Sequence, residues 1–434
     1  MTSNAQLQVP HLQTASNEAL YQLERTILNH QVQIEGWLRQ QWRKTPPLLY
    51  SSVDLRNAGF KLAPVDTNLF SAGFNNLNPD FMSLAIQAAQ AEFEQIMPGC
   101  LRILIIPENH TRNLLYFESL ATLQDILIKA GFAARVGSLQ EDLTTATEIN
   151  LPSGKVLTLE PVQRKGNRLG VKNFDACFIL LNNDLSTGVP EILADIEQPI
   201  YPPVGLGWAT RLKSTHFHHY AEVATEFANL IKIDPWLINP LYRQCSHVNF
   251  LKREGEECLV AHADELLKAV QAKYDEYDIK QKPFLVIKAD AGTYGMGVMS
   301  IYSADELNHL NRKRRTHMST AKGNRPITQV LIQEGVYTVE TWQQAVAEPV
   351  IYMMGRYVIG GFYRLHAERS ASENLNSPGM QFAPLAFVES CNKPEKCDAP
   401  DTCTNRFYAY GVIARLALVA AAREQQALKG NQDG

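Results

Sequence analysis

The sequence predicts an α/β protein of two domains, with a mainly parallel sheet in residues 1–240 and an α+β domain in residues 241–434. In the first half, strand-like apolar runs alternate with helix-like segments, which is typical of a parallel sheet flanked by helices. In the second half, helical segments are mixed with strands and a strand pair. The mixed polarity around Pro202 and Pro203 favours a boundary near residue 240.

The first half has four clear elements. Apolar residues recur at helical spacing over residues 18–42, and Pro46 and Pro47 end this segment. It either packs within the chain or forms an oligomer contact. A strand is predicted at 103–106, a helix at 116–130 and a second strand at 177–181.

The second half continues with a helix at 261–277 and a strand at 284–287. A capping box at Ser303–Glu306 opens another helix. Strands follow at 330–332 and around Tyr352 and Val358, and the last helix covers residues 408–428.

The composition narrows the classes of partner. The chain has 434 residues, 45% of them hydrophobic, and its 41 basic and 45 acidic side chains give a net charge of −4. No overall basic field is present to attract nucleic acid. No apolar run approaches the roughly 20 residues of a membrane-spanning helix, and no export signal is evident. We therefore expect small-molecule substrates, no nucleic acid, no membrane and a cytoplasmic location.

The seven cysteines are odd in number and mostly scattered, which predicts reduced thiols rather than a disulfide framework. Cys391, Cys397 and Cys403 follow one another at six-residue steps in a polar loop. Incidental thiols, redox regulation and a soft-metal site all remain open for these three.

The glycine-rich segment 284–298 is the most informative part of the sequence. An apolar strand ends at Lys288 and leads into a loop with Gly292, Gly295 and Gly297. Glycines let backbone N–H groups approach phosphate oxygens, and a lysine adds a positive charge. The spacing fits neither a Walker motif nor a dinucleotide fingerprint. The segment predicts a phosphate-binding loop, with a glycine-rich hairpin as the alternative.

Further motifs follow in a fixed order. The strand at 330–332 runs out into a connection that reaches residue 336, a strand pair over 348–364 ends in an arginine, and an asparagine-rich loop covers 372–379. Together with the glycine-rich segment they resemble the nucleotide-binding half of the ATP-grasp ligases, such as bacterial glutathione synthetase. The resemblance implies an ATP-grasp-like domain at 241–434, with Lys288 and Arg364 as catalytic residues. The implied ATP-binding set is Lys288, Gly292, Thr293, Tyr294, Gly295, Met296, Gly297, Gln333, Glu334 and Val336.

The resemblance also implies Mg²⁺ as a cofactor beside ATP. The strands that hold the metal in glutathione synthetase follow its last helix, and this chain stops soon after its own last helix. The candidate metal ligands are therefore Glu348, Asn374, Asn376 and Glu389.

Three polar segments of the first half, 54–77, 105–113 and 202–219, are expected at loops that leave a sheet. They either cap these loops or recognise a zwitterion, since an amino-acid substrate needs a carboxylate clamp and an ammonium acceptor. The candidate substrate-binding residues are Arg56, Asn57, Lys61, Asp66, Asn68, Asn75, Asn76, Glu108, Arg112 and Arg211.

Taken together, the segments 56–76, 107–112 and 289–298 resemble the proteobacterial glutamate–cysteine ligases that are built on an ATP-grasp frame. The resemblance spans residues 20 to 428. It implies an ATP-dependent ligase that joins the γ-carboxyl of L-glutamate to the amine of L-cysteine through an acyl phosphate. The alternatives are another carboxylate–amine ligase of the same frame and a nucleotide-binding regulatory or scaffold protein without turnover. Assembly into a homo-oligomer is left open.

Overall fold

The computed structural model describes residues 18–109, 113–292, 297–321, 325–385 and 406–430. The helices in these ranges are α1 (Glu18–Asn29), α2 (Gln31–Lys44), α3 (Met82–Ile96), α4 (Leu114–Lys129), α5 (Lys213–Ile231), α6 (Glu256–Glu276), α7 (Arg312–His317) and α8 (Arg406–Gly430).

The strands, in chain order, are β1 (Tyr50–Asn57), β2 (Leu62–Asn68), β3 (Arg102–Pro107), β4 (Ala133–Ser138), β5 (Thr147–Asn150), β6 (Val156–Pro161), β7 (Gln163–Lys165), β8 (Arg168–Val171), β9 (Phe174–Asp175), β10 (Phe178–Asn182), β11 (Ile200–Tyr201), β12 (Tyr242–Ser246), β13 (Leu285–Ala289), β14 (Val298–Ile301), β15 (Thr320–Ala321), β16 (Arg325–Pro326), β17 (Gln329–Glu334), β18 (Thr341–Trp342), β19 (Ala345–Met354), β20 (Tyr357–His366) and β21 (Gln381–Pro384).

One sheet lies within the first half, in the order β11-β10-β3-β4-β6-β5. All its strand pairs are parallel except β5 with β6. The strands predicted at 103–106 and 177–181 are confirmed as β3 and β10, which are buried on both faces. The predicted helix at 116–130 is α4.

A second, antiparallel sheet joins the two halves of the sequence in the order β2-β1-β19-β20-β21, with β18 paired to β19. Strand β1 lies beside β19, so that Tyr50 is the partner of Met354 and Asp54 is the partner of Val350. The predicted boundary near residue 240 therefore cuts through a continuous sheet. Residues 50–68 are structurally part of the second half.

A third sheet has the antiparallel order β12-β17-β13-β14, and α6 packs against β12 and β17. The predicted strands at 284–287 and 330–332 fall in β13 and β17, and the predicted helix at 261–277 is α6. The glycine-rich segment 284–298 thus contains β13 and the loop that connects β13 to β14.

Helix α8 lies at the centre of the largest apolar core and packs against α5, α1, β1 and β2. Residues 408–422 are buried, because the helix is covered on all sides. The first predicted helix is wrong in one detail: it is divided at His30 into α1 and α2. Leu23, Ile27, Ile34 and Leu38 pack into the same core, which confirms the interpretation of this segment as packing within the chain. Among the described helices, none combines the length and the apolar character that a membrane crossing requires.

The prediction that all cysteines are reduced is wrong for one pair. Cys100 and Cys177 form a disulfide that ties the segments in front of the adjacent strands β3 and β10. The two cysteines are 77 residues apart, and only the parallel pairing brings them together. Cys245 and Cys258 are free, and Cys391, Cys397 and Cys403 lie outside the described residues.

Helix α8 is held to α5 by a buried ion pair. Arg211, just before α5, donates two hydrogen bonds to the carboxylate of Glu424, at 2.8 and 3.0 Å. His216 lies 3.3 Å from the same carboxylate. Burial raises the pKa of Glu424, but Arg211 and His216 outweigh burial and lower it to about 2.

The substitution Glu424→Gln should lower the free energy of unfolding by about 3 kcal/mol, because it leaves a buried guanidinium without its counter-charge. The stabilisation that Glu424 supplies is fully present above its unfolded pKa and is lost as the pH falls towards about 2. Urea unfolding midpoints at several pH values measure both effects. The control is Glu226→Gln, which breaks an exposed pair with Arg423 and should cost less than about 1 kcal/mol. Equal losses in the two variants would contradict this account.

Candidate active site

Strands of the second and third sheets and the segments that follow β3 and β10 of the first sheet surround a cavity of about 720 Å³. This volume is within the ordinary range for small-ligand sites. Alternate residues of single strands face it, as the two-residue period of a strand requires. Ser52, Asp54 and Arg56 come from β1, and Glu348, Val350 and Tyr352 come from β19. The structure thus brings together many of the predicted site residues: Arg56, Asp66, Asn68, Asn75, Asn76, Glu108, Lys288, Gly292, Gln333, Glu334, Val336, Glu348, Arg364, Asn374 and Asn376.

Lys288 lies near the end of β13, just before the glycine-containing loop. Its Nζ donates hydrogen bonds to the carbonyl oxygen of Val65 and to Oε1 of Gln333, both at 2.7 Å. Burial lowers the pKa of Lys288 to about 8, although Asp66 acts in the opposite direction. The ammonium group is therefore short of negative charge, and a bound anion would stabilise it.

Lys213 forms the second cation beside this segment. It begins α5, and its Nζ lies 2.5 Å from the carbonyl oxygen of Gly292 and 4.1 Å from the ring centre of Trp208. Burial lowers the pKa of Lys213. Asp66 is near both lysines, which keep the pKa of its carboxyl low despite burial. Two lysines and one carboxylate thus surround the start of the loop.

The start of the loop after β13 is fixed by Asp290, whose side chain is fully buried. Its carboxylate accepts hydrogen bonds at 2.7 Å from both the backbone N–H and the hydroxyl of Ser214, and one at 2.9 Å from Gln244. Gly292 and Gly297 have φ angles of 103° and 62°, a region that favours glycine. A Cβ atom on Gly297 would also lie 2.4 Å from Ile327. Residues 293–296, including the predicted Thr293, Tyr294, Gly295 and Met296, lie outside the described residues.

A second charged group lies on the sheet of β1, β19 and β20. The carboxylate of Glu348 accepts hydrogen bonds from Arg56 at 3.0 Å and from Arg364 at 2.6 Å. Arg364 also donates to Asp54 at 2.8 Å. Burial raises the pKa of Glu348, but the two guanidinium groups outweigh it and the net shift is downward. Each carboxylate is therefore held by arginine.

Nearby positive charge balances the carboxylate of Asp54 less well than that of Glu348. Burial raises its pKa, and the nearby charges of Glu348 and Asp66 act in the same direction against Arg364. Asp54 and Asp66 are direct partners across β1 and β2, and like charges in such positions repel. A cation bound between them would relieve this repulsion.

Two buried donors on the cavity wall have no hydrogen-bond partner: Nε of Arg364 and Nε2 of Gln333. Buried polar atoms are normally paired, so both positions favour a ligand that supplies acceptor oxygens. Among the described residues that line the cavity, four are basic and seven are acidic. An anionic ligand would therefore need additional positive charge.

Loops at strand ends complete the wall. Asn75 and Asn76 form a short 3₁₀ turn, and Glu108 follows β3. In open α/β sheets, ligands lie at such carboxyl ends of parallel strands. Asn374 accepts a hydrogen bond from the backbone N–H of Asn376 at 2.9 Å in the asparagine-rich loop. The predicted Arg112 lies outside the described residues, as does Glu389.

Three predicted substrate residues do not line the cavity, because internal partners occupy them. Asn57 donates to Glu340 at 2.9 Å. Lys61 is paired with Glu334 at 2.8 Å and lies over the ring of Trp236. Arg211 forms the buried pair with α8 described above. These three side chains are therefore not positioned to contact a ligand in the cavity.

Several cavity residues are not among the predicted site residues, above all Asp54, Lys213, Asp184, Tyr352 and Ser300. Asp54 and Lys213 do lie in the polar segments 54–77 and 202–219. The polar residues Ser52, Asp54 and Arg56 alternate with apolar ones along β1, and this period of two could have identified Asp54. Lys213 carries no such signal, because it lies at a helix start.

Comparison with known proteins identifies relatives of the whole chain. The family described as glutamate-cysteine ligase matches residues 24–425. A solved structure from Methylobacillus flagellatus KT, which carries the proposed name gamma-glutamylcysteine synthetase, is 54% identical over 97% of this chain and 99% of its own, with a TM-score of 0.90. Among the curated proteins, none matches.

Two other solved structures are much less similar. D-alanyl-alanine synthetase A from Vibrio cholerae O1 biovar eltor str. N16961 is 11% identical over 73% of this chain and 81% of its own, with a TM-score of 0.33. A glutathione synthetase-like effector from Globodera pallida is 10% identical over 84% and 81%, with a TM-score of 0.36. TM-scores this low support no conclusion about this chain. The family match and the similarity to the Methylobacillus structure are extensive, and the chain belongs to the glutamate-cysteine ligase family.

Proposed function

We propose that the protein joins the γ-carboxyl group of L-glutamate to the amine of L-cysteine, with conversion of ATP to ADP and phosphate, through an acyl-phosphate intermediate. This is the first step of glutathione synthesis. Family membership supports the reaction. The observation that supports the site is that Lys213, Lys288, Arg56 and Arg364 meet in one cavity beside the glycine-rich segment.

The lysines are proposed to bind the ATP phosphates. Lys288 donates to Val65 and Gln333, and Lys213 donates to Gly292, so each holds a neutral oxygen that a phosphate oxygen can replace. Charge-assisted hydrogen bonds to phosphate are stronger than those to neutral oxygens. Gln333, Glu334 and Val336 remain the predicted adenine contacts. The ATP-grasp-like assignment of this region also stays a prediction.

Phosphoryl transfer is proposed to take place beside Arg364. The γ-carboxylate of glutamate attacks the γ-phosphorus of ATP, and ADP leaves. The neutral amine of cysteine then attacks the acyl carbon and the amide bond forms. The bond between the acyl carbon and the phosphate oxygen breaks, phosphate leaves with its electron pair, and the amine proton is lost to phosphate or solvent. Both reactants of the first step are anions, so the guanidinium and its unpartnered Nε would stabilise the charge that they share.

Amino-acid recognition is proposed for the loops after β2 and β3. Asn68, Asn75, Asn76 and Glu108 supply amide and carboxylate oxygens on this part of the wall. A carboxylate accepts hydrogen bonds from an ammonium group, and amide N–H groups donate to a carboxylate. These residues therefore suit a zwitterion, and Arg56 supplies positive charge beside them.

Mg²⁺ fits the cavity, because a triphosphate brings negative charge to walls that already hold more acidic than basic residues. Asp54 and Asp66 are its best candidate ligands, since they face each other and carboxylates suit this ion. When bound, it would neutralise phosphate charge. Glu348 is a metal ligand predicted from the sequence, but both of its carboxylate oxygens already accept hydrogen bonds from guanidinium groups. Asn374 and Asn376 remain candidate ligands on the same wall.

The test of the proposed reaction is release of phosphate from ATP in the presence of Mg²⁺. We expect release with glutamate and cysteine together, and a product with the mass of the γ-linked dipeptide. A product from another amine would establish a different carboxylate–amine ligase. Tight ATP binding without phosphate release for any amino acid would favour a regulatory or scaffold protein. Cytoplasmic location and assembly into a homo-oligomer stay predictions.

Lys288→Ala should raise the Kd for ATP by about tenfold or more, because it removes a charge-assisted hydrogen bond to phosphate. Lys288 is protonated below its pKa of about 8, so ATP affinity of the parent should fall as the pH rises through that value. The variant should show a weaker fall. Calorimetric titration from neutral to alkaline pH measures both effects. The exposed Lys282, just before β13, provides the control Lys282→Ala, and equal losses in both variants would remove Lys288 from the site.

Arg364→Lys should lower kcat by about a hundredfold, with a smaller effect on the KM for ATP, because the planar guanidinium is lost while a cation stays between Asp54 and Glu348. Steady-state kinetics measure the two parameters. The matched control is Arg356→Lys, since Arg356 contacts Glu92 and does not line the cavity. An unchanged kcat in Arg364→Lys would contradict the assigned role.

A further inference from the structure

Outside the cavity, Cys245, Cys258 and His262 meet where α6 packs on the edge strand β12. The Sγ atom of Cys245 lies 3.3 Å from Sγ of Cys258 and 3.1 Å from Nδ1 of His262. The third side of this triangle, from Cys258 Sγ to His262 Nδ1, is 3.8 Å. In the part of the chain that the structure describes, no other group of three such side chains brings its ligand atoms this close.

The triangle has the size of one face of a tetrahedral metal site. Bonds of about 2.3 Å to sulfur and about 2.0 Å to nitrogen place two sulfur ligands about 3.8 Å apart, and sulfur and nitrogen about 3.5 Å apart. The observed sides are within about half an ångström of these values. Small side-chain rotations would therefore seat an ion without moving the backbone.

The local structure explains why the three residues converge. Cys258 and His262 are four residues apart on α6, which places them on one face of the helix. Cys245 is on β12 and is buried, with 1% of its surface exposed, whereas Cys258 is exposed. The ligand set is thus anchored on its inner side by a strand and open to solvent on its outer side.

A thiol bound to zinc is deprotonated, so a coordinated ion would hold both sulfur ligands as thiolates. Soft thiolate ligands with an imidazole suit zinc-like ions, whereas Mg²⁺ requires oxygen ligands. The site is therefore distinct in chemistry from the ATP cavity.

We propose that Cys245, Cys258 and His262 bind one soft metal ion of the Zn²⁺ class through two thiolates and one imidazole nitrogen. Binding releases two thiol protons and leaves a fourth position for water or a small ligand. The ion ties α6 to β12. Because β12 pairs with β17, which carries Gln333, the site is built on the same sheet as one wall of the cavity.

The experiment uses the full chain with Cys391, Cys397 and Cys403 replaced by serine. It is handled without oxygen and without added reductant, so that the free thiols stay reduced and the Cys100–Cys177 disulfide stays intact. Calorimetric titration with Zn²⁺ gives stoichiometry and affinity. Titration with Co²⁺, used as a spectroscopic substitute, reports thiolate ligation through its charge-transfer absorption. Cys258→Ser and His262→Asn remove one ligand each from the outer side of the cluster, where substitution disturbs the core least. His309→Asn is the matched control, since His309 is exposed and outside the cluster.

We expect one Zn²⁺ per chain, a thiolate-to-Co²⁺ band and a higher melting temperature with Zn²⁺. Cys258→Ser and His262→Asn should each weaken Zn²⁺ binding at least about tenfold, and His309→Asn should leave it unchanged. Absence of a one-to-one complex in the folded parent would overturn the proposal. So would equal Zn²⁺ affinity in the parent and both ligand variants. None of these readouts depends on ligase activity, so failure here leaves the proposed reaction untouched.

Discussion

The pairing of β1 with β19 is the interaction on which the architecture of the cavity depends. It joins strands whose paired residues are about 300 positions apart, from Tyr50 with Met354 to Asp54 with Val350. Arg56 thereby reaches Glu348 at 3.0 Å. Because side chains alternate between the two faces of a strand, a slip of one residue would place charges in the core and apolar groups in the cavity. Burial of the apolar face of these strands therefore fixes the register that brings the polar side chains of the cavity together.

The lysines and the arginines of the cavity have different kinds of hydrogen-bond acceptor. Lys213 and Lys288 donate hydrogen bonds to neutral backbone and amide oxygens, whereas Arg56 and Arg364 are paired with carboxylates. A phosphate can therefore replace weak acceptors at the lysines without separating a buried ion pair. Among the described residues on the walls, carboxylates outnumber basic groups. We propose that this excess couples the binding of nucleotide to the binding of metal.

Elements whose positions depend on a local hydropathy pattern can be predicted from the sequence. The apolar runs of β3 and β10 are buried on both faces, and the apolar run of β13 leads to Lys288 near the end of the strand. The positions of these strands and of Lys288 therefore follow from hydropathy. Residues with distant partners are different. The polar side chains of Lys61 and Arg211 look the same in sequence whether they bind a substrate or a carboxylate more than 200 residues away, and here they bind Glu334 and Glu424. The β1–β19 pairing and the Cys100–Cys177 disulfide are hidden from local patterns for the same reason.

We propose that the triphosphate of ATP binds between the two lysines and Arg364. The decisive test is a crystal structure of the chain with a non-hydrolysable ATP analogue, Mg²⁺ and glutamate. We expect phosphate oxygens within hydrogen-bond distance of Lys213 and Lys288, with the γ-phosphate and the glutamate γ-carboxylate beside Arg364. A nucleotide bound outside this cavity, or one whose phosphates lie away from both lysines, would contradict it.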